Sequence, residues 1–218
     1  MSTITHLLFD CDGTLVDSEQ IVMAAMQQAG QQLGLTLTNE DCYQLFLGHT
    51  RQHCLQIFEQ HHGAPLPDSF ASDLAAAIRL RLETELMPIP GVGEVLEQLS
   101  QIKCLVSNGS PEHVIFVLEK TNLATPFAGR CYSAIQPCKP KPSPMVYRQA
   151  MERLGIEPSQ CIAIEDSVAG VRAAADAGIC TFGFAMLASS EQLLSSGAFA
   201  TFSEMRELPN LINAIDMR

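Results

Sequence analysis

The sequence predicts an α/β fold: a Rossmann-like parallel sheet with a helical insert near its start. Short, continuously apolar runs alternate with stretches of helical period, and polar residues stand directly after several of those runs. Strands buried on both faces read as unbroken apolar runs, and the helices of a parallel sheet cover both faces. A break in this rhythm is the third observation, because residues 18–85 hold helical stretches and no run that reads as a strand.

The elements follow in order. "THLLFD" reads as the first strand, and the insert then offers helices over 18–33, 39–47, 50–61 and 68–85. Pro88, Pro90 and Gly91 mark the return to the α/β pattern. Helix 91–101, strand "KCLVSN", helix 111–122 and a short strand within "FAGRCYSAI" come next. Helix 144–154, strand "CIAIED", helix 168–177 and strand "CTFGFA" continue the alternation, and "AFATF" with a helix over 203–215 closes it. The predicted organisation is a core of residues 1–16 and 86–218 with an inserted helical domain of residues 17–85.

Composition narrows the functional classes. The chain has 218 residues, 47% of them hydrophobic, enough for one sizeable core and a smaller inserted domain. Its net charge of −11 repels nucleic acid and anionic membrane surfaces, so neither is an expected partner. A small anionic substrate needs a metal ion or a local cationic cluster to offset that field. No run approaches the roughly 20 apolar residues of a membrane span, and the start lacks the basic segment of a signal peptide. Eight scattered cysteines without a C-x-x-C predict reduced thiols in a cytoplasmic protein. With no obvious apolar patch, a monomer is expected.

In open α/β sheets ligands bind beyond the carboxyl ends of the strands. Asp10 and Asp12 stand after the first strand, Ser107 and Asn108 after the second, and Glu165 and Asp166 after "CIAI", while "KPKPSPMVY" precedes a helix. Unpaired buried carboxylates are costly, so such a pair shares a cation, a proton or both.

"DCDGTLVDS", "VSNGS", "KPSPMVY" and "IEDSVAG" together resemble, in order and spacing, the four motifs of the haloacid dehalogenase superfamily. The insert is similar to the cap of its β-phosphoglucomutase-like subgroup. The resemblance implies a phosphatase in which Asp10 attacks phosphorus and Asp12 serves as general acid and base. It implies one Mg²⁺ held by Asp10, the Asp12 backbone carbonyl and Asp166, with Glu165 in the outer shell or bound through water. Magnesium suits such carboxylates, and a divalent cation offsets the charge that makes a phosphate monoester a poor electrophile. Asp166 could also cap the helix that follows it. Ser107 is implied as a phosphate ligand, with backbone N–H groups of Cys11, Asn108 or Gly109 beside it. The family pattern K-P-x-P-x-x-[F/Y] runs from Lys141 to Tyr147; starting at Lys139 would put Met145 at the aromatic position. Lys141 is therefore the expected cation for Asp10 and the transferred phosphoryl group.

"GHTRQH" resembles the cap loop that meets substrate, which makes Arg51 and His49 candidates. Asp17 is a candidate for the hinge, for substrate contact or for capping the first insert helix. The expected reaction is Mg²⁺-dependent hydrolysis of a small phosphorylated metabolite through an aspartyl phosphate. A sugar or sugar-acid phosphate such as 6-phosphogluconate is the expected substrate. The alternative is a sugar phosphomutase. Val22 stands where β-phosphoglucomutase has its cap histidine, which favours hydrolysis. Asp12 disfavours the dehalogenases and phosphonatases of the superfamily, which lack a second aspartate.

Overall fold

The order β3-β2-β1-β4-β5-β6 runs across a six-stranded sheet in which every paired neighbour is parallel. The strands are β1 (His6–Phe9), β2 (Ile102–Ser107), β3 (Cys131–Ser133), β4 (Cys161–Glu165), β5 (Cys180–Phe184) and β6 (Ala200–Phe202). This computed structural model describes residues 3–47, 51–135 and 137–216. By backbone contacts the chain divides into two units, Met1–Val16 with Pro88–Arg218, and Asp17–Met87.

In the first unit, β1 lies between β2 and β4, with Leu8 opposite both Cys104 and Ala163. Every residue of β1 and β4 is buried, as their unbroken apolar runs require. Helices α8 (Met145–Leu154) and α9 (Val168–Asp176) pack on the side chains of Leu8, Cys104, Val106 and Ala163. The alternate residues Leu7, Phe9, Leu105, Ile162 and Ile164 are equally buried. Among these, Phe9 meets Phe127 of α7 (Ala124–Phe127) edge-on. The remaining helices are α5 (Val92–Gln98), α6 (Pro111–Lys120), α10 (Ser190–Ser195) and α11 (Leu208–Asp216). The chain leaves β1 toward β2 and β3 on one side, then restarts at β4 on the other. That reversal is the topological switch point where such sheets bind ligands.

The second unit consists of α1 (Glu19–Gln32), α2 (Asn39–Phe46), α3 (Arg51–His62) and α4 (Phe70–Glu85), with no strand among the described residues. Its core is aromatic: Phe46 stacks on Phe58, and Phe58 meets Phe70 edge-on. Val22 packs against this cluster. Thr38 starts α2 with a reciprocal capping box to Asp41.

Several expectations shift in detail. The helix expected over 91–101 stops at Gln98, and Leu99 is already extended to lead into β2. The closing helix expected over 203–215 separates into a 3₁₀ turn, Met205–Glu207, and α11, with Pro209 within the first turn of α11, where no amide donor is needed. Helices α7 and α10 were not foreseen, being too short to show a period. Ser18, not Asp17, occupies the cap position of α1, and the Asp17 amide donates to the Met87 carbonyl.

Candidate active site

Backbone geometry after β1 sets the site. The chain turns at once: the Leu15 and Val16 amides both donate to the Cys11 carbonyl, and the Gly13 amide donates to Val16. Gly13 adopts φ +79°, and a Cβ there would run into Asp166 Oδ2. Only glycine serves at this position, because both the left-handed backbone and the close carboxylate exclude a side chain. Thr14, fully buried, donates its hydroxyl to Asp166 Oδ1 at 3.3 Å. Asp166 is thus held by the turn that carries Asp12. The cap of α9 is Ser167, whose hydroxyl accepts from the Gly170 amide, so the capping role open to Asp166 falls to its neighbour.

Lys141 lies at the centre, its side chain 4% exposed. Its Nζ donates to Asp10 Oδ1 at 2.5 Å, to Glu165 Oε1 at 2.6 Å and to the Val106 carbonyl at 2.6 Å. All three ammonium protons are therefore used. Lys139, by contrast, is exposed. Asn108 grips the lysine by its backbone: its Oδ1 accepts from the Lys141 amide at 2.8 Å and its Nδ2 donates to the Lys141 carbonyl at 3.3 Å. The Asn108 side chain is thus spent on placing Lys141. Its backbone amide remains the group that can face an anion. Ser107, 2% exposed, accepts from the Gly109 amide through Oγ and keeps its own hydroxyl proton to donate.

Electrostatics follow from burial. Removal from water pushes the Asp10 and Glu165 carboxyls up, and Lys141 opposes this by attraction; Glu165 still rises to about 7. Burial alone would pull Lys141 down, but Asp10 and Glu165 outweigh it and hold the ammonium above its ordinary range. Burial and the nearby Glu165 charge keep the Tyr147 phenol protonated, and it donates to Glu165 Oε1. Glu165 Oε2 is buried and has no hydrogen-bond partner among the described residues.

Asp10, Glu165 and Asp166 each offer a carboxylate oxygen, all within 4.8 Å of one another. Three acidic groups with one lysine among them, and one orphaned oxygen, leave negative charge that a hard divalent cation would satisfy. The donor set fits magnesium.

A family model for haloacid dehalogenase-like hydrolases matches residues 4–178. The chain belongs to that family. It is 32% identical to the 6-phosphogluconate phosphatase of Escherichia coli K12 over 215 residues, 98% of this chain and 97% of the relative. With the phosphorylated carbohydrates phosphatase of Thermotoga maritima it shares 29% identity, over 79% of this chain and 81% of the other. The crystal structure of a haloacid dehalogenase family hydrolase from Deinococcus radiodurans, with bound phosphate and sodium, matches with a TM-score of 0.85 and 26% identity. That match covers 99% of this chain and 98% of the other. A haloacid dehalogenase-like protein of Agrobacterium tumefaciens matches with a TM-score of 0.88 at 30% identity, over 97% and 99% of the two chains.

Of the other residues the sequence singles out in this haloacid dehalogenase-like hydrolase, Arg51 opens α3 and is exposed, while His49 lies outside the described residues. One neighbour of the cluster was missed altogether. His113 places Nε2 3.0 Å from both carboxylate oxygens of Asp12. Its only signal in the sequence is a position six residues after Ser107, within the first turn of a serine-capped helix. Among the described residues no helix is long and apolar enough to cross a membrane.

Proposed function

We propose that this phosphoric monoester hydrolase acts on the phosphate ester of a small sugar or sugar acid, with 6-phosphogluconate the leading candidate. The reading is carried by the buried cluster in which Lys141 joins Asp10 to Glu165 beside Asp166. Magnesium would be held by Asp10, Asp166 and the Asp12 carbonyl, with Glu165 behind them, and when bound it supplies positive charge against the phosphoryl oxygens.

Asp10 supplies the nucleophilic oxygen; burial raises its carboxyl and the Lys141 ammonium opposes that rise. As its bond to phosphorus forms, the bond from phosphorus to the sugar oxygen breaks, and Asp12 gives that oxygen a proton. Water then attacks phosphorus, yields its proton to Asp12, and releases phosphate and the Asp10 carboxylate. Ser107 and the amides of Cys11, Asn108 and Gly109 hold the phosphoryl oxygens, and Lys141 balances the charge of the transferred group. The inserted helical unit takes the part of a substrate-selecting cap, with Arg51 for an anionic or polyhydroxy end. The E. coli relative's name supports a sugar-acid phosphate. Packing of Val22 into the helical core leaves no imidazole where a mutase has one, which supports hydrolysis over phosphoryl return. Eight free thiols fit a reducing cytoplasm, and we take the working form to be a monomer.

The test is phosphate release from a panel of small phosphomonoesters, with Mg²⁺ or EDTA, using Asp10→Asn as the blank. Metal-dependent release from 6-phosphogluconate or a related sugar phosphate, absent in the variant, is the expected result. Release by Asp10→Asn at the native rate would overturn the nucleophile. Conversion of β-glucose 1-phosphate to glucose 6-phosphate without release would turn the reading to a mutase.

A further inference from the structure

We propose that His113 is a positioning residue that holds the Asp12 carboxylate in the orientation needed for proton transfer. The inference rests on the reading of Asp12 as general acid and base. An ionised carboxylate only accepts, so while Asp12 is ionised the imidazole nitrogen 3.0 Å from both its oxygens carries the hydrogen and donates it. One N–H shared between two oxygens fixes the plane of the carboxylate and the direction its lone pairs face. Asp12 needs such a guide. It stands in a tight turn rather than in the sheet, and its side chain is 28% exposed, in contrast to the deeply buried Glu165.

The chain around His113 is arranged for the ring. Ser110 caps α6 by accepting from the His113 amide at 3.2 Å, which places the residue in the first helical turn. Gly109 then leaves room. A Cβ there would lie 2.9 Å from His113 Cδ2 and 3.2 Å from Ser107 Oγ. Any side chain at position 109 would push either the imidazole or the phosphate-binding serine. A single turn, Ser107 to His113, therefore presents a hydroxyl for the phosphoryl group and a ring for the acid that serves the leaving group. The turn couples the two halves of the reaction.

The experiment compares His113→Ala and His113→Gln with the native protein on two Mg²⁺-supported substrates, 6-phosphogluconate and p-nitrophenyl phosphate. A sugar alkoxide needs a proton to depart, whereas p-nitrophenolate is a weak base that leaves without one. For His113→Ala, kcat on 6-phosphogluconate should fall about 10²-fold, the scale of a misplaced catalytic group, with KM little changed. With p-nitrophenyl phosphate the rapid first release of nitrophenolate should persist while turnover slows, because the second step still needs Asp12 as base. His113→Gln, whose amide nitrogen can take the place of Nε2, should recover most of the loss. Asp12→Asn separates the two levels of the argument. If it retains native turnover of 6-phosphogluconate, the reading of Asp12 fails. If it is inactive while His113→Ala is as active as the native protein, or faster, the positioning role alone is overturned. Equal losses on every step and substrate, or no rescue by glutamine, also overturn it. A readout without substrate comes from ring-nitrogen NMR of the metal-free chain: Nε2 of His113 should be protonated and shift on Asp12→Ala, and an unprotonated or unmoved Nε2 would sink the proposal.

Discussion

The two units of the chain bury different chemistry. The helical unit hides Met23, Met26, Phe46, Phe58 and Phe70, and its one buried polar side chain among the described residues is Ser18. The α/β unit hides Asp10, Thr14, Ser107, Lys141, Glu165 and Asp166 beside an equally apolar sheet. Apolar burial is favourable in proportion to area and indifferent to partner, whereas a buried charge is tolerable only with its counterpart in place. The contrast teaches that one unit can vary its residues by volume while the other is fixed atom by atom.

Lys141→Met is the sharpest way to break the comparison. It leaves Asp10 and Glu165 buried without their cation, so phosphate release should fall to background and stability by about 3–5 kcal/mol. Urea unfolding at pH 8 and at pH 5 would measure it, with the smaller loss at pH 5, where the carboxyls take up protons. Phe58→Ala is the counterpart in the helical unit. Removing that fully buried ring should cost about 3–5 kcal/mol through cavity formation. The loss should not depend on pH, and the same urea series would show whether it does.

A pH series on the metal-free protein sharpens the contrast further. Burial raises Glu165 from its ordinary 4.5 to about 7, against the pull of Lys141, and raises Asp10 in the same direction. The folded chain therefore binds more protons than the unfolded chain across that window, and its stability falls as pH rises from about 4.5 to 7. Melting temperatures in EDTA should decline over this range, and Mg²⁺ should restore most at the upper end. The smallest effect belongs to the surface. Arg79→Ala removes an ion pair to Glu83 in which both side chains are about half exposed, and should change stability by no more than ~0.5 kcal/mol in thermal melts.

How much of this was legible in the sequence depends on the range of the interaction. The central strands announced themselves because both faces are buried, and Asp10, Glu165 and Asp166 stood out because carboxylates ending such strands demand a reason. Lys141 was separable from Lys139 through the register of Tyr147. Short elements without a full period, α7 and α10, were not legible. Nor was the task of Asn108, whose amide serves a backbone 33 residues away. His113 was hidden for the same reason: its partner lies 101 residues earlier, and the parallel pairing of β1 with β2 brings the segments after them to one edge of the sheet.

The place of β1 between β2 and β4 has a consequence for how the enzyme fails. The Asp10 amide donates to the Ile164 carbonyl at 2.9 Å, so the proposed nucleophile belongs to the ladder that should be slowest to exchange its amide hydrogens. The three-residue edges β3 and β6 should open first. Fraying at either edge should leave the Asp10 carboxylate where it was, and inactivation on warming should coincide with loss of the central ladder rather than precede it.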